Sequence, residues 1–192
     1  SMSRRRRSSS ASALSRGSLG WAVVALSDAG WAQRAAAVDV LALSRASAAT
    51  RLLTTMLRDP DDRVRRGALR ALARRPGVST VHALQAGLAD VSPDVRLAAV
   101  VTLRQVLGRL LVPDLDRIRS QVQGWMRALI QAADSPGGDA PSSGSSSGAM
   151  AGQPQIAARL LLLWLGDGGQ RAWLQTQQAT GDAATRRALV EQ

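Results

Sequence analysis

Two stretches of this chain superpose at an offset of 31 residues, the step from Asp59 to Asp90. The first reads Asp59-Pro60-Asp61-Asp62-Arg63-Val64-Arg65-Arg66-Gly67-Ala68-Leu69-Arg70-Ala71-Leu72. The second reads Asp90-Val91-Ser92-Pro93-Asp94-Val95-Arg96-Leu97-Ala98-Ala99-Val100-Val101-Thr102-Leu103. One more step back puts Asp28, Arg34, Ala37, Val38 and Leu41 in the same columns. Self-similarity at such an interval marks a helical repeat array, in which one unit cannot bury its apolar face alone and neighbours stack to make a core. The expected fold is therefore all-α, an α-solenoid of about five antiparallel helix pairs.

The spacing inside each copy supports helices. Val64, Ala68, Leu69 and Leu72 fall on one helical face, and Val95, Ala99, Val100 and Leu103 repeat them. Proline and short acids in Asp59–Asp62 suit a helix start, where carboxylates meet the positive end of the dipole. Pro76-Gly77 ends that helix, and Gly108 matches Gly77 at the same step. The pattern predicts helix pairs at 19–27 and 31–44, at 48–58 and 62–75, and at 79–89 and 94–107. Leu19, Trp21, Val23, Val24 and Leu26 are the apolar residues of the first helix, and Leu52, Leu53, Met56 and Leu57 the buried ones of the third.

Beyond Gly108 the pattern loosens. Pro113-Asp114 opens a helix of about 19 residues carrying Leu115, Ile118, Val122, Trp125, Met126 and Leu129, longer than the usual globular helix. Residues 134–153 are rich in Ser, Gly, Pro and Ala, the composition of a flexible linker. This insertion reads as a spacer, as a segment modified or bound at Ser135, Ser142, Ser143 and Ser145 to Ser147, or as a tether ending in Gly148-Ala149-Met150. Residues 154–165 complete a fourth pair, Gly166–Gly169 make a turn, and 170–179 with 183–190 make a fifth. That last helix runs to the chain end without a polar cap, as expected of a fragment, of a partner at that end, or of a weak terminus. The domain layout is a disordered basic arm at 1–17 followed by a repeat domain at 18–192, interrupted at 134–153.

The net charge of +11 is carried entirely by Arg, 25 of them, with no Lys, Asn, Phe or Tyr in the chain. Residues with AT-rich codons are nearly missing as a class, Ile occurring only at Ile118, Ile130 and Ile156, so a GC-rich gene accounts for much of the Arg excess, which weakens the usual step from basic charge to nucleic acid. Arg4 to Arg7 and Arg16 precede every acid, leaving +6 for the rest. Ser1 ahead of Met2 reads as a remnant of tag removal. Arg4 to Arg7, Leu19 to Leu26 and Gly30-Trp31-Ala32 also fit a cleavable leader, but the same apolar stretch fills a first-helix slot and Asp28 sits on the repeat column. That favours a cytoplasmic over a secreted setting. No apolar run approaches the roughly 20 residues of a membrane span. With no Cys and His82 alone, neither a metal site nor a cofactor is expected. No phosphate loop or nucleophile elbow appears, so no catalytic residue is assigned.

The Asp28/Asp59/Asp90 and Arg34/Arg65/Arg96 columns, with Val64-Arg65 and Val95-Arg96, resemble the HEAT repeat signature; Gln33-Arg34 departs from it at its first position. The resemblance covers residues 19–108 well and the remainder only through helix pairing. It implies that these Asp and Arg side chains tie neighbouring repeats in a structural ladder. It also implies a non-enzymatic protein–protein interaction scaffold presenting a curved helical groove to a protein partner. It allows two rivals: a nucleic-acid-binding protein using an Arg-rich concave surface, since HEAT-like DNA glycosylases exist with an acidic and aromatic pocket on that side, and an enzyme of the bilin-lyase kind. The pocket of the glycosylases has no residue-by-residue match here, and the Cys-free composition gives the lyase reading little support.

The candidate contact surface is Arg66, Arg70 and Arg74, at i, i+4 and i+8, joined by Arg63 and Arg75. Arg suits forked contacts to carboxylate or phosphate; the alternative is a solvated face. Leu97 and Val101 replace the first two positions in the next copy, which counts against a long nucleic-acid track. Trp21, Trp125, Trp164 and Trp173 are expected in the core, Trp31 is the one candidate for exposure, and His82 is expected at the surface.

Overall fold

A computed structural model describes residues 20–27, 30–134 and 153–180. The basic arm at 1–17, Asp28, all of the insertion but its two end residues, and the helix expected at 183–190 lie outside the described residues. Every regular element among the described residues is helical, with no strand. They gather into two compact units, one ending at Arg75 and the other beginning at Pro76.

The first unit holds α1 (20–25), α2 (Trp31–Leu43), α3 (Ser47–Thr55) with a 3-10 turn at Met56–Arg58, and α4 (Asp62–Leu72). α2 lies against α4, and α3 packs on both. Ala37, Val38 and Leu41 of α2 and Val64, Ala68, Leu69 and Leu72 of α4 are buried, so the repeat columns are the packed face. Leu53 and Leu57 are buried in α3 and its 3-10 turn, whereas Leu52 and Met56 are only half-buried. α4 starts as its acids predict: Asp61 Oδ1 accepts from the Arg63 N–H at 2.9 Å. It ends three residues early, because the Arg74 and Arg75 N–H groups turn back to Ala71 and Leu72 in i→i+3 bonds.

In α1 only Ala22 is buried; Trp21 is 51% and Val24 74% exposed. The core position expected for Trp21 is thus wrong. Of the described part of this helix, residues 20–25, neighbours cover only Ala22.

The second unit holds α5 (Val78–Leu88), α6 (Pro93–Leu107), α7 (Val112–Asp134), α8 (Gln153–Trp164) and α9 (Gln170–Thr180). α6 packs on α5, α7 lies against α5, α8 against α6 and α7, and α9 against α8. This is two stacked pairs, α5/α6 and α7/α8, with first helix beside first and second beside second. Val81, Leu84 and Leu88 face Val95, Ala99, Val100, Leu103, Val106 and Leu107 in one seam, which Ile118, Val122, Met126, Leu161 and Leu162 extend. α8 ends on Gly166 at φ 86°, a left-handed cap that only glycine adopts easily; the Asp167 N–H reaches Leu162 O and the Gly166 N–H reaches Leu163 O. No helix among the described residues is long and apolar enough to cross a membrane.

Candidate functional site

The Asp and Arg columns build the turns between paired helices. Asp59 Oδ1 accepts from the Asp61 N–H at 2.9 Å, and Asp90 Oδ1 accepts from the Ser92 N–H at the same distance. Each is an aspartate turn two residues long. The Arg that follows closes the same turn from inside: Arg65 Nη1 donates to Asp59 O (2.8 Å) and Pro60 O (3.1 Å), and Arg96 Nη1 to Asp90 O (2.7 Å) and Val91 O (3.0 Å). The repeat signature is therefore a turn clamp, made identically in both copies.

Arg34 adds a tie from one copy to the next. Its Nε donates to Asp59 Oδ2 at 2.7 Å and its Nη2 to Asp59 Oδ1 at 2.9 Å. The pair is buried, the two side chains only 11% and 2% exposed. Burial alone would raise the Asp59 carboxyl. The Arg34 fork, the Asp61 N–H and the charges of Arg34 and Arg65 outweigh it and hold the carboxyl below the usual aspartate range. Asp28 is outside the described residues. Arg34 and Arg65 are buried and Arg96 is half-buried, each held by these bonds.

Arg75, expected to add to the surface charge, goes elsewhere. Nη2 donates to Leu41 O at 2.8 Å and to Ser44 O, and Nη1 to Thr50 Oγ1 at 3.1 Å and Ala46 O at 3.4 Å. It caps the open carbonyl end of α2 and pins the α2–α3 connection from the end of α4. Burial shifts its guanidinium downward from the ordinary arginine value.

Of the remaining candidates, Arg63, Arg70 and Arg74 are exposed and Arg66 is half-buried. Arg66 Nη2 lies 3.4 Å from Asp62 Oδ2, an i,i+4 pair with both side chains over a third exposed. Arg63 sits over the Trp31 ring at 4.5 Å, a cation–π contact on a Trp that is 42% exposed. Because α4 stops at Leu72, Arg74 lies in the turn and not on the helical row of Arg66 and Arg70. The basic surface is thus Arg63, Arg66 and Arg70 along α4, with Arg74 just past its end.

His82 is exposed and meets Trp125 edge-on, ring centroids 6.0 Å apart. Trp173 is half-buried beneath Arg159, whose guanidinium lies 5.0 Å from the ring centre. Trp164, expected in the core, is 50% exposed. It lies at the edge of the α8 stripe formed by Ala157, Ala158, Leu161, Leu162 and Leu165, beside a recess lined by Arg104, Gln105, Gly108 and Arg109. Apolar spacing marked Trp164 as helical and apolar but carried no sign that its neighbours leave one ring face open.

A family model described as HEAT repeats matches residues 21–104, the stretch that holds all three copies. No curated protein and no solved structure matches the chain.

Proposed function

The chain carries HEAT repeats over residues 21–104, and from that premise we propose that it is a non-enzymatic scaffold. It holds an acidic segment of a protein partner on the α4 surface, through Arg63, Arg66, Arg70 and Arg74. HEAT repeats are typically protein-binding scaffolds. The observation that carries the finer reading is the division of labour among the arginines of one short stretch. Arg65 and Arg75 bond inward to backbone carbonyls, while Arg63, Arg70 and Arg74 stand in solvent. Successive arginines four apart on a helix are about 6 Å from each other, a reach that suits carboxylates on an extended or helical segment.

The test is charge reversal, Arg66→Glu with Arg70→Glu and Arg74→Glu, followed by affinity capture from the source cell with and without nuclease. Far-UV circular dichroism should be unchanged, because none of the three is in the packed seam. Capture of a protein partner should fall at least tenfold and be indifferent to nuclease. Undiminished capture removes this surface from the reading. Capture that vanishes with nuclease, together with tight, steeply salt-dependent binding of random duplex, would replace it with nucleic-acid binding.

A further inference from the structure

We propose that the recess at the C-terminal turn of α6 is a second docking site, for an acidic peptide segment that lays an apolar side chain on Trp164 and its carboxylates against Arg104 and Arg109. The recess has a volume of about 300 Å³ and is lined by Arg104, Gln105, Gly108, Arg109 and Trp164. It lies wholly in the second unit and does not depend on the α4 surface.

Three features point to this occupant. The first is charge. Among the described residues, the lining carries two guanidinium groups, and Arg104 and Arg109 are both exposed. The second is the indole, which keeps half its surface in water beside those arginines. A large aromatic edged by arginine is the composition of a binding anchor, since Trp and Arg are enriched where binding energy concentrates.

The third is Gly108. Its backbone is ordinary right-handed helix, φ −65° and ψ −9°, which any residue adopts. An added Cβ would meet only Arg104 O at 3.4 Å and Gln105 O at 4.0 Å, both ordinary contacts. Neither strain nor crowding requires glycine here, and its effect is to leave the recess unfilled. The site also sits at a helix C-terminus, where the dipole is negative and the Arg104, Val106 and Leu107 carbonyls already accept from the Gly108, Arg109 and Leu110 N–H groups. That end disfavours a dianionic phosphate, which brings only acceptors. A peptide brings singly charged carboxylates for the arginines and an apolar side chain for the indole, matching both. A volume of this size takes roughly two or three side chains, at the low end of ligand sites.

The test follows the indole N–H resonance of Trp164, assigned by its loss in Trp164→Phe, in the full chain labelled with ¹⁵N. The probes are acetylated peptides combining glutamate and leucine in both alternating and blocked orders. Their glutamine counterparts, inorganic phosphate and a thymidine oligonucleotide serve as controls. The acidic peptides should shift the resonance saturably, and the glutamine peptides should not. Gly108→Leu, which fills the recess without backbone strain, should weaken binding at least tenfold. Arg104→Glu with Arg109→Glu should abolish it. The Arg66, Arg70 and Arg74 reversal should leave it intact, which separates this site from the α4 surface. No shift with any acidic peptide, an undiminished shift in Gly108→Leu, or stronger binding of the oligonucleotide than of the peptides would each overturn the proposal.

Discussion

Removing the Asp59 carboxylate should be among the most damaging single changes in the first unit. In Asp59→Ala, Arg34 loses both arms of its fork, the 2.7 Å and 2.9 Å bonds, and the Asp61 N–H loses its acceptor. What remains is a guanidinium only 11% exposed with its carboxylate gone. Breaking a buried pair in this way costs about 3–5 kcal/mol, most of it the penalty of the charge left behind. The exposed Arg66–Asp62 pair sets the contrast: with side chains 35% and 39% exposed, its loss in Asp62→Ala should cost no more than ~0.5 kcal/mol. Urea unfolding followed by circular dichroism reads the difference. With a slope of about 1–3 kcal/mol per molar urea, Asp59→Ala should lower the midpoint by roughly 1 M or more. Arg34→Met should be similarly harmful, since it strands the carboxylate. The double variant leaves no bare charge, so it should lose less than the sum, with a coupling of about 2 kcal/mol. Single losses below about 1 kcal/mol with no coupling would refute the claim that the fork is a buried, mutually dependent pair.

Three further outcomes follow from the same geometry. The gap in stability between the wild type and Asp59→Asn should be full above the ordinary aspartate value of about 3.9 and close as pH falls below it. A carboxyl held low in the folded state contributes stability that disappears as pH drops through its folded value, and denaturation series from pH 7 to pH 2 measure this. Arg75→Met should cost about 2–3 kcal/mol and speed amide hydrogen exchange across residues 41–50, because the Leu41, Ser44 and Ala46 carbonyls lose their shared donor. Gly67→Ala should stabilise by about 0.5–1 kcal/mol in the same urea assay: the new Cβ meets Val38 Cγ1 at 3.5 Å, an ordinary contact, inside a helix where glycine is the costlier residue.

The helices were legible because two independent signals agreed at each. Apolar spacing placed the faces of α4 and α6, and Asp61, Pro93 and Gly108 marked their ends, so the boundaries fall within a residue or so except after Leu72. The packed columns were legible too, since Val64 and Val95, 31 residues apart, are both buried. Arg75 was not. An arginine following a helix looks like surface charge; its partners lie 25 to 34 residues upstream and belong to a connection whose open carbonyls only the fold brings near. Trp21 and Trp164 failed for a related reason. Periodicity tells which side of a helix is apolar, whereas exposure depends on whether a neighbour covers it, and Trp21 and the edge of a stripe at Trp164 fall outside that cover.

The copies also differ in an informative way. Where they agree, at Asp59 and Asp90 or Arg65 and Arg96, the side chains close turns, and a ligand could take them only by opening the repeat. Where they disagree along the Arg66, Arg70 and Arg74 columns, the residues are exposed or half-buried. The Arg66 column reads Ala35 and Leu97 in the other copies, the Arg70 column Asp39 and Val101, and the Arg74 column Leu43 and Gln105. Asp39, Leu43, Arg70, Arg74 and Gln105 are all exposed. Selection for stacking fixes the first set and leaves the second free to differ from one copy to the next. The proposed recognition surface therefore falls on positions that break the repeat. Gln105, the third copy's member of the Arg74 column, also lines the recess beside Trp164.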